Sequence, residues 1–280
     1  GLKINWQRLD DVTPYPGSQD PFSSTEYLRL LGSLLYVVKS RPDIGFAVSH
    51  SASKASKPVQ ADWDALKRIL QYLFQTRDKG LILRRHQPNG PLQMHIYVDA
   101  SYLLYPDSKA QTGFAFSFND HGFFYSKSTK QPVVTTSSTH SELRAMFTAV
   151  SEFLFISSIC AEIGRPLTIP AIIHEDNQAA ITLVTKEQTA PKGSKHFLML
   201  VNFLRECTLT QVIDIRKIPT ELNVSDILTK HVCGQDWAHK SQRLLGQDEG
   251  ELLATSAPSK RPTATETVHD STVMGLELGY

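Results

Sequence analysis

Apolar residues recur along the chain at two different periods, and the change between them falls near residue 90. Over the front third they return every three or four positions, the spacing of one helix face. Tyr27, Leu30, Leu31, Leu34, Leu35 and Val38 mark a first helix, with Ser24 or Thr25 as its cap. The run Ser40-Arg41-Pro42-Asp43 breaks it, because proline disfavours helix in the residue before it. Ile44, Ala47 and Val48 mark a second helix; Trp63, Leu66, Ile69, Leu70 and Leu73 mark a third, from about Ala61 to Gln75.

From Pro91 the period becomes alternating. Met94, Ile96 and Val98 predict one strand, and Phe114, Phe116 and Phe118 another. Phe123 and Tyr125 begin a third after the turn Asn119-Asp120-His121-Gly122, so the three form an antiparallel meander. Phe114, Phe116, Phe123 and Tyr125 alternate like core residues. A long helix carries Leu143, Met146, Phe147, Val150, Phe153, Leu154 and Ser157 on one face. Next come a short strand at Ala171 to His174, a helix from about Asn177 and another from about Lys195 to Glu206. A strand with Val212, Ile213, Ile215 and Ile218 and a final helix from about Asn223 complete the order. That order predicts an α/β fold, a mixed five-stranded sheet flanked by helices and preceded by a small helical module. Residues 1–24, rich in Pro, Asp, Ser and Gly, read as a linker. Residues 246–280, rich in Thr, Ser, Pro and Glu, read as a disordered tail.

Composition changes this picture little. The 280 residues are 41% hydrophobic and 20% charged, with a net charge of +1, so any affinity for nucleic acid must come from local sites. The three cysteines, Cys160, Cys207 and Cys233, have no metal-like spacing and suit a reducing compartment. No apolar run of membrane-spanning length and no signal peptide is expected. A chain that starts at Gly1 reads as an excerpt from a longer polypeptide or a trimmed chain.

The chemistry rests on four carboxylates, each with an ordinary explanation of its own. Asp99 ends the first strand and could be a turn residue; Asp107, in a Tyr-Pro-Asp-Ser turn, competes with it. Tyr97-Val98-Asp99 looks like a polymerase hairpin, but that hairpin needs two adjacent carboxylates, and Ala100 follows here. Glu142 completes a capping box with Thr139. Asp176 can cap the helix after it; its neighbour Glu175 is a rival, and strand alternation lets only one of the two face the site of Asp99. Asp226 suits the first turn of a helix. Yet all four fall where a strand ends or a helix begins, and such ends can converge on one edge of a mixed sheet. Carboxylates brought together repel, and a hard divalent cation is the usual compensation.

The blocks around these residues resemble the copia-type LTR retrotransposon Pol polyprotein, at the end of its reverse transcriptase region and its ribonuclease H domain. The front blocks are Tyr27 to Tyr36, Ser40 to Val48, Trp63 to Leu73 and Gly80-Leu81. The later ones are Val98-Asp-Ala-Ser101, Thr112-Gly-Phe-Ala-Phe116, Ser126 to Gln131, Ser137-Ser-Thr-His-Ser-Glu142, Glu175-Asp-Asn177, Ser194-Lys-His196 and Val224-Ser-Asp-Ile-Leu-Thr-Lys230. The resemblance implies a ribonuclease H-like domain over residues 91–235, after a helical end of the reverse transcriptase, thumb- or connection-like, over 25–90. It implies that Asp99, Glu142, Asp176 and Asp226 bind two Mg²⁺ ions, with Mn²⁺ as a substitute. The implied reaction is hydrolysis of the RNA strand of an RNA–DNA hybrid, leaving 5′-phosphate and 3′-hydroxyl ends. Implied partners are the hybrid and the polymerase region of the same polyprotein, with no membrane; the implied location is cytoplasmic, within virus-like particles.

The chain departs from the family at His140, Ser141 and Ser225, and has no histidine before Asp226, where Glu221 is a candidate for assisting product release. Candidate substrate contacts are Ser101, Asn177, Lys127, Lys130, Arg144, Lys192, Lys195, His196 and Lys217, because phosphates demand cations and a hybrid is read by shape and sugar hydroxyls. Two other function classes stay open: an inactive module of the same fold serving as a polymerase connection or protein scaffold, and reverse transcriptase itself. The missing aspartate pair argues against the second.

Overall fold

The computed structural model describes residues 22–84, 90–120, 122–186 and 197–247. Lys192, Lys195, His196, the 1–21 part of the linker and the tail from 248 onward lie outside the described residues. Helices α1 (Ser24–Val37), α2 (Gly45–Ala52) and α3 (Gln60–Gln75) form the front module. The cap of α1 is Ser23 rather than Ser24 or Thr25, because Glu26 reaches back to its backbone N–H at 2.9 Å while Ser23 Oγ accepts from Glu26 N at 3.2 Å. Tyr27, Leu31, Leu34, Ile44, Val48, Leu66 and Ile69 make the module's core.

Strands β1 (Gln93–Ser101), β2 (Lys109–Phe118) and β3 (Phe123–Val134) form the expected meander, followed by α4 (Ser138–Glu162), β4 (Thr168–Glu175), α5 (Gln178–Thr185), α6 (Leu198–Leu209) and β5 (Ile213–Lys217). The order across the five-stranded sheet is β3-β2-β1-β4-β5. β1 is antiparallel to β2, with Asp99 opposite Gly113, and parallel to β4, with Tyr97 beside His174. This register puts the carboxyl ends of β1 and β4 at the same edge, which fixes where a site can form. The mixed five-stranded, helix-flanked α/β fold class is the one expected.

Alternation along β1 divides its side chains between two cores. Ile96 and Val98 pack with Phe114, Phe116, Leu143, Met146 and Val150 under α4. Tyr97, on the other face, packs with Phe123, Val224, Ile227 and Leu228. α4 is long and apolar enough to cross a membrane by length and composition, contrary to the expectation that no run reaches that length. Its Leu143, Met146, Val150 and Phe153 are buried in the sheet core.

The final helix differs from expectation. Residues Val224–Leu228 form a 3₁₀ turn in which Asn223 caps Ser225, and α7 (Gly234–Leu244) starts later, where Gly234 takes φ +67°. α7 buries Lys240 and Arg243 as paired groups, beside Ser241 and Leu244. Arg243 donates to Leu222 O at 2.6 Å and to Tyr97 Oη at 2.6 Å.

The helical module packs directly on the sheet. Gln111 Nε2 on β2 donates to Ser49 Oγ of α2 at 2.9 Å and to Ser128 Oγ of β3 at 2.7 Å. Ser128 Oγ in turn donates to Leu228 O at 2.6 Å, and Ile82 N donates to Leu245 O at 2.8 Å.

Candidate functional site

The sheet edge gathers carboxylates from four elements. Asp99 arrives at the end of β1. Glu142 sits on the first turns of α4, whose cap is Ser137, accepting from His140 N at 3.1 Å, and not Thr139. Glu142 is therefore not used in a capping box; its side chain is buried, and its Oε2 has no hydrogen-bond partner. Asp176 follows β4, and Asn177 instead caps α5, its Oδ1 accepting from Ala179 N at 3.0 Å and Ala180 N at 3.1 Å. One carboxylate oxygen from each of Asp99, Glu142 and Asp176 lies within 4.8 Å of the others.

Asp226 comes in on the 3₁₀ turn but stands outside that trio, held by two lysines. Lys240 Nζ meets its Oδ2 at 2.6 Å, and Lys230 Nζ meets its Oδ1 at 2.7 Å. Lys230 also lies 3.7 Å from Asp99 Oδ2, which accepts a hydrogen bond from Thr229 Oγ1.

Glu175 is a fifth acid at this edge. It is fully buried, accepts from Asn177 N through Oε1 at 2.9 Å, and leaves Oε2 without a partner. Strand alternation does not decide between it and Asp176: β4 ends at Glu175, so Asp176 is already in the loop and is not bound to the strand's facing rule.

Burial and mutual repulsion set the electrostatics. Burial pushes the Asp99 carboxyl up to about 6, with Lys230 opposing and Asp226 adding to the rise. Glu142 is pushed well above the usual carboxylate range by burial and then by Glu175, Asp99 and Asp176. Glu175 rises as well, first from burial, against the hydrogen bond from Asn177. Burial disfavours the Lys230 charge, but Asp99 and Asp226 outweigh it, so this ammonium is held more firmly than usual.

The candidate substrate contacts are more dispersed. Ser101, at the end of β1, accepts from Gln111 N at 3.3 Å. Lys127 pairs with Glu152 at 2.6 Å, and Lys130 pairs with Asp107 at 2.8 Å and covers the Tyr105 ring. Arg144 is half-buried two residues beyond Glu142, and Lys217 is exposed at the end of β5. Glu221 is exposed in a turn whose Thr220 Oγ1 donates to Asp176 Oδ2 at 2.8 Å. Two of the family departures are buried in packing roles: His140 lies against Phe197, and Ser141 Oγ bonds Thr135 Oγ1 at 2.6 Å.

The donor set at this edge is all carboxylate oxygen, with no histidine or cysteine in the trio. Hard cations such as Mg²⁺ and Mn²⁺ suit it. The two orphaned, buried oxygens of Glu142 and Glu175 call for a proton or a cation, so the residues fit a divalent ion.

No family model matches the chain. Among curated proteins it is similar to the retrovirus-related Pol polyprotein from transposon RE2 of Arabidopsis thaliana, 31% identical over 220 residues, 78% of this chain and 15% of that protein. The Pol polyprotein from transposon RE1 of the same plant is 32% identical over 74% of this chain and 14% of its own length. The Ty1-NL2 Gag-Pol polyprotein of Saccharomyces cerevisiae is 26% identical over 73% of this chain and 12% of its own length. The chain thus spans about 15% or less of the curated relatives it matches. Similar solved structures include the LC11 ribonuclease H1 in complex with an RNA/DNA hybrid, at 13% identity, 49% of this chain, 94% of that chain and TM-score 0.39. The protease-reverse transcriptase of prototype foamy virus is another, at 14% identity, 68% of this chain, 27% of that chain and TM-score 0.32.

Proposed function

From its standing as a homologue of one segment of copia-type retrotransposon Pol polyproteins, we propose that the chain is the element's ribonuclease H, hydrolysing the RNA strand of RNA–DNA hybrids during reverse transcription. The observation that carries this reading is the trio Asp99, Glu142 and Asp176, the first two buried and the third half-buried, with an unpartnered Glu142 oxygen on a side chain surrounded by like charges. Bound there, two Mg²⁺ ions would supply a water nucleophile at neutral pH and neutralise charge at the scissile phosphate.

The protein's own groups prepare that site. Thr229 fixes Asp99 by donating to Oδ2, Thr220 fixes Asp176, and Lys240 fixes Asp226. Lys230, half-exposed at the rim, keeps a cation 2.7 Å from Asp226 Oδ1, where it could also meet a phosphate of the hybrid. In this reading the polymerase region of the same polyprotein delivers the hybrid, in the cytoplasmic particles of the element.

One observation favours the alternative, an inactive module of the same fold kept as a polymerase connection or scaffold. Two lysines neutralise Asp226, which weakens its pull on a metal.

Purified protein incubated with Mg²⁺ and a hybrid labelled in its RNA strand separates the two. We expect RNA cleavage in the hybrid, none in single-stranded RNA, and loss of cleavage in Asp99→Asn. A folded, metal-supplied protein that leaves the hybrid intact supports the scaffold reading.

A further inference from the structure

Building on the metal-dependent reading above, we propose that Lys230 is an exchangeable counter-ion of the acidic cluster, displaced from Asp99 and Asp226 when a divalent cation binds. The two lysines on Asp226 are not alike. Lys240 has a 3% exposed side chain and a second carboxylate, Asp236, at 3.1 Å. Removing its ammonium would leave a buried charge unpaired, so it stays. Lys230 has a 41% exposed side chain and reaches Asp226 Oδ1 at 2.7 Å and Asp99 Oδ2 at 3.7 Å. Its flexible stem can return the ammonium to water.

One ammonium therefore bridges carboxylates from two different elements, β1 and the 3₁₀ turn. Those two acids and the two lysines sum to zero charge without any metal. A divalent ion seeking the same oxygens must compete with Lys230, and with Lys240 on Oδ2 it has only Oδ1 of Asp226 to use. The competition has a readout that a structural role lacks. Deleting a group that merely supports the fold weakens metal binding or leaves it unchanged; deleting a competitor tightens it.

The test is a Mn²⁺ titration at fixed pH and low salt, without nucleic acid, following free Mn²⁺ by electron paramagnetic resonance. We expect Lys230→Met to bind Mn²⁺ at least about fivefold more tightly than wild type, a typical coupling between two sites. Lys230→Gln carries the same expectation, and Lys230→Arg, which keeps the competing charge, stays near wild type. A melting curve in EDTA confirms that each variant is folded. Equal or weaker Mn²⁺ binding by whichever neutral variant is folded overturns the proposal. If wild type takes up no Mn²⁺, both this proposal and the metal-dependent reading fall. If wild type binds Mn²⁺ and cleaves hybrid while the neutral variants bind no more tightly, only the Lys230 proposal falls.

Discussion

Replacing Asp99 with asparagine is expected to stabilise the metal-free protein while abolishing the proposed RNA cleavage, and the size of the gain follows from the site. The Asp99 carboxyl titrates at 3.8 in its ordinary state and at about 6 in the fold, because burial penalises its charge. Below pH 3.8 the folded and unfolded chains both hold the proton, and this group takes nothing from stability. As pH rises from there, the unfolded chain releases its proton first, so stability falls. The loss is complete above about 6. At about 1.4 kcal/mol per pH unit, the charged folded state carries a penalty on the order of 3 kcal/mol at pH 8. The substituted amide would carry no such charge, and its oxygen could still accept from Thr229 Oγ1, as the Asp99 carboxylate does. For a protein of this size that is a rise in melting temperature of roughly 6–12 °C. The assay is thermal unfolding of wild type and Asp99→Asn in EDTA at pH 8 and near pH 4. We expect the difference at pH 8 to shrink at acid pH, and added Mg²⁺ to stabilise wild type alone. A variant that melts below wild type at pH 8 in EDTA refutes the claim that Asp99 is a strained, buried charge.

Other perturbations probe the supports of the site. Lys240→Met breaks a buried ion pair and should destabilise the fold by about 3–5 kcal/mol, read from urea midpoints; a loss well under 1 kcal/mol would show that Asp226 does not depend on α7. Gly113→Ala places a Cβ 2.5 Å from Thr229 Cγ2 and 2.8 Å from Leu228 Cβ. It should cost about 1–3 kcal/mol and lower cleavage by shifting Thr229 off Asp99; a variant with unchanged stability contradicts the close packing. Residues 91–247 made without the front helices lose the Ser49–Gln111 and Ile82–Leu245 bonds. They should show no cooperative unfolding transition, and a sharp two-state melt would refute this dependence.

Much of the fold and site is legible in the sequence because it rests on period and order. Ile96, Val98, Phe114 and Phe116 alternate, and they are the sheet core. Strand ends and helix starts carry the acids, and the parallel β1–β4 pairing brings Asp99 and Asp176 together. What is not legible has physical causes. Thr139 and Glu142 match a capping box, but Ser137 sits earlier and takes that role, freeing Glu142 for the cluster. Alternation sets Glu175 against Asp176 only as long as both belong to the strand, and β4 ends between them. α7 hides its importance because two of its four buried residues, Lys240 and Arg243, look like surface charges until Asp226 and Tyr97 are placed beside them. Among the supporting residues, Thr229 and Lys230 do carry a hint, as the last two of the block that begins at Val224.

In the reading proposed above, the carboxylates Asp99, Glu142 and Asp176 are a working metal centre. Single-turnover cleavage of an RNA–DNA hybrid by wild type and Glu142→Gln, across a Mg²⁺ series at pH 8, tests it most directly. We expect Mg²⁺-dependent cutting of the RNA strand by wild type, leaving 5′-phosphate ends, and a fall of about 10²-fold or more in Glu142→Gln. Equal rates for the two proteins, or cutting that persists in EDTA, would contradict it.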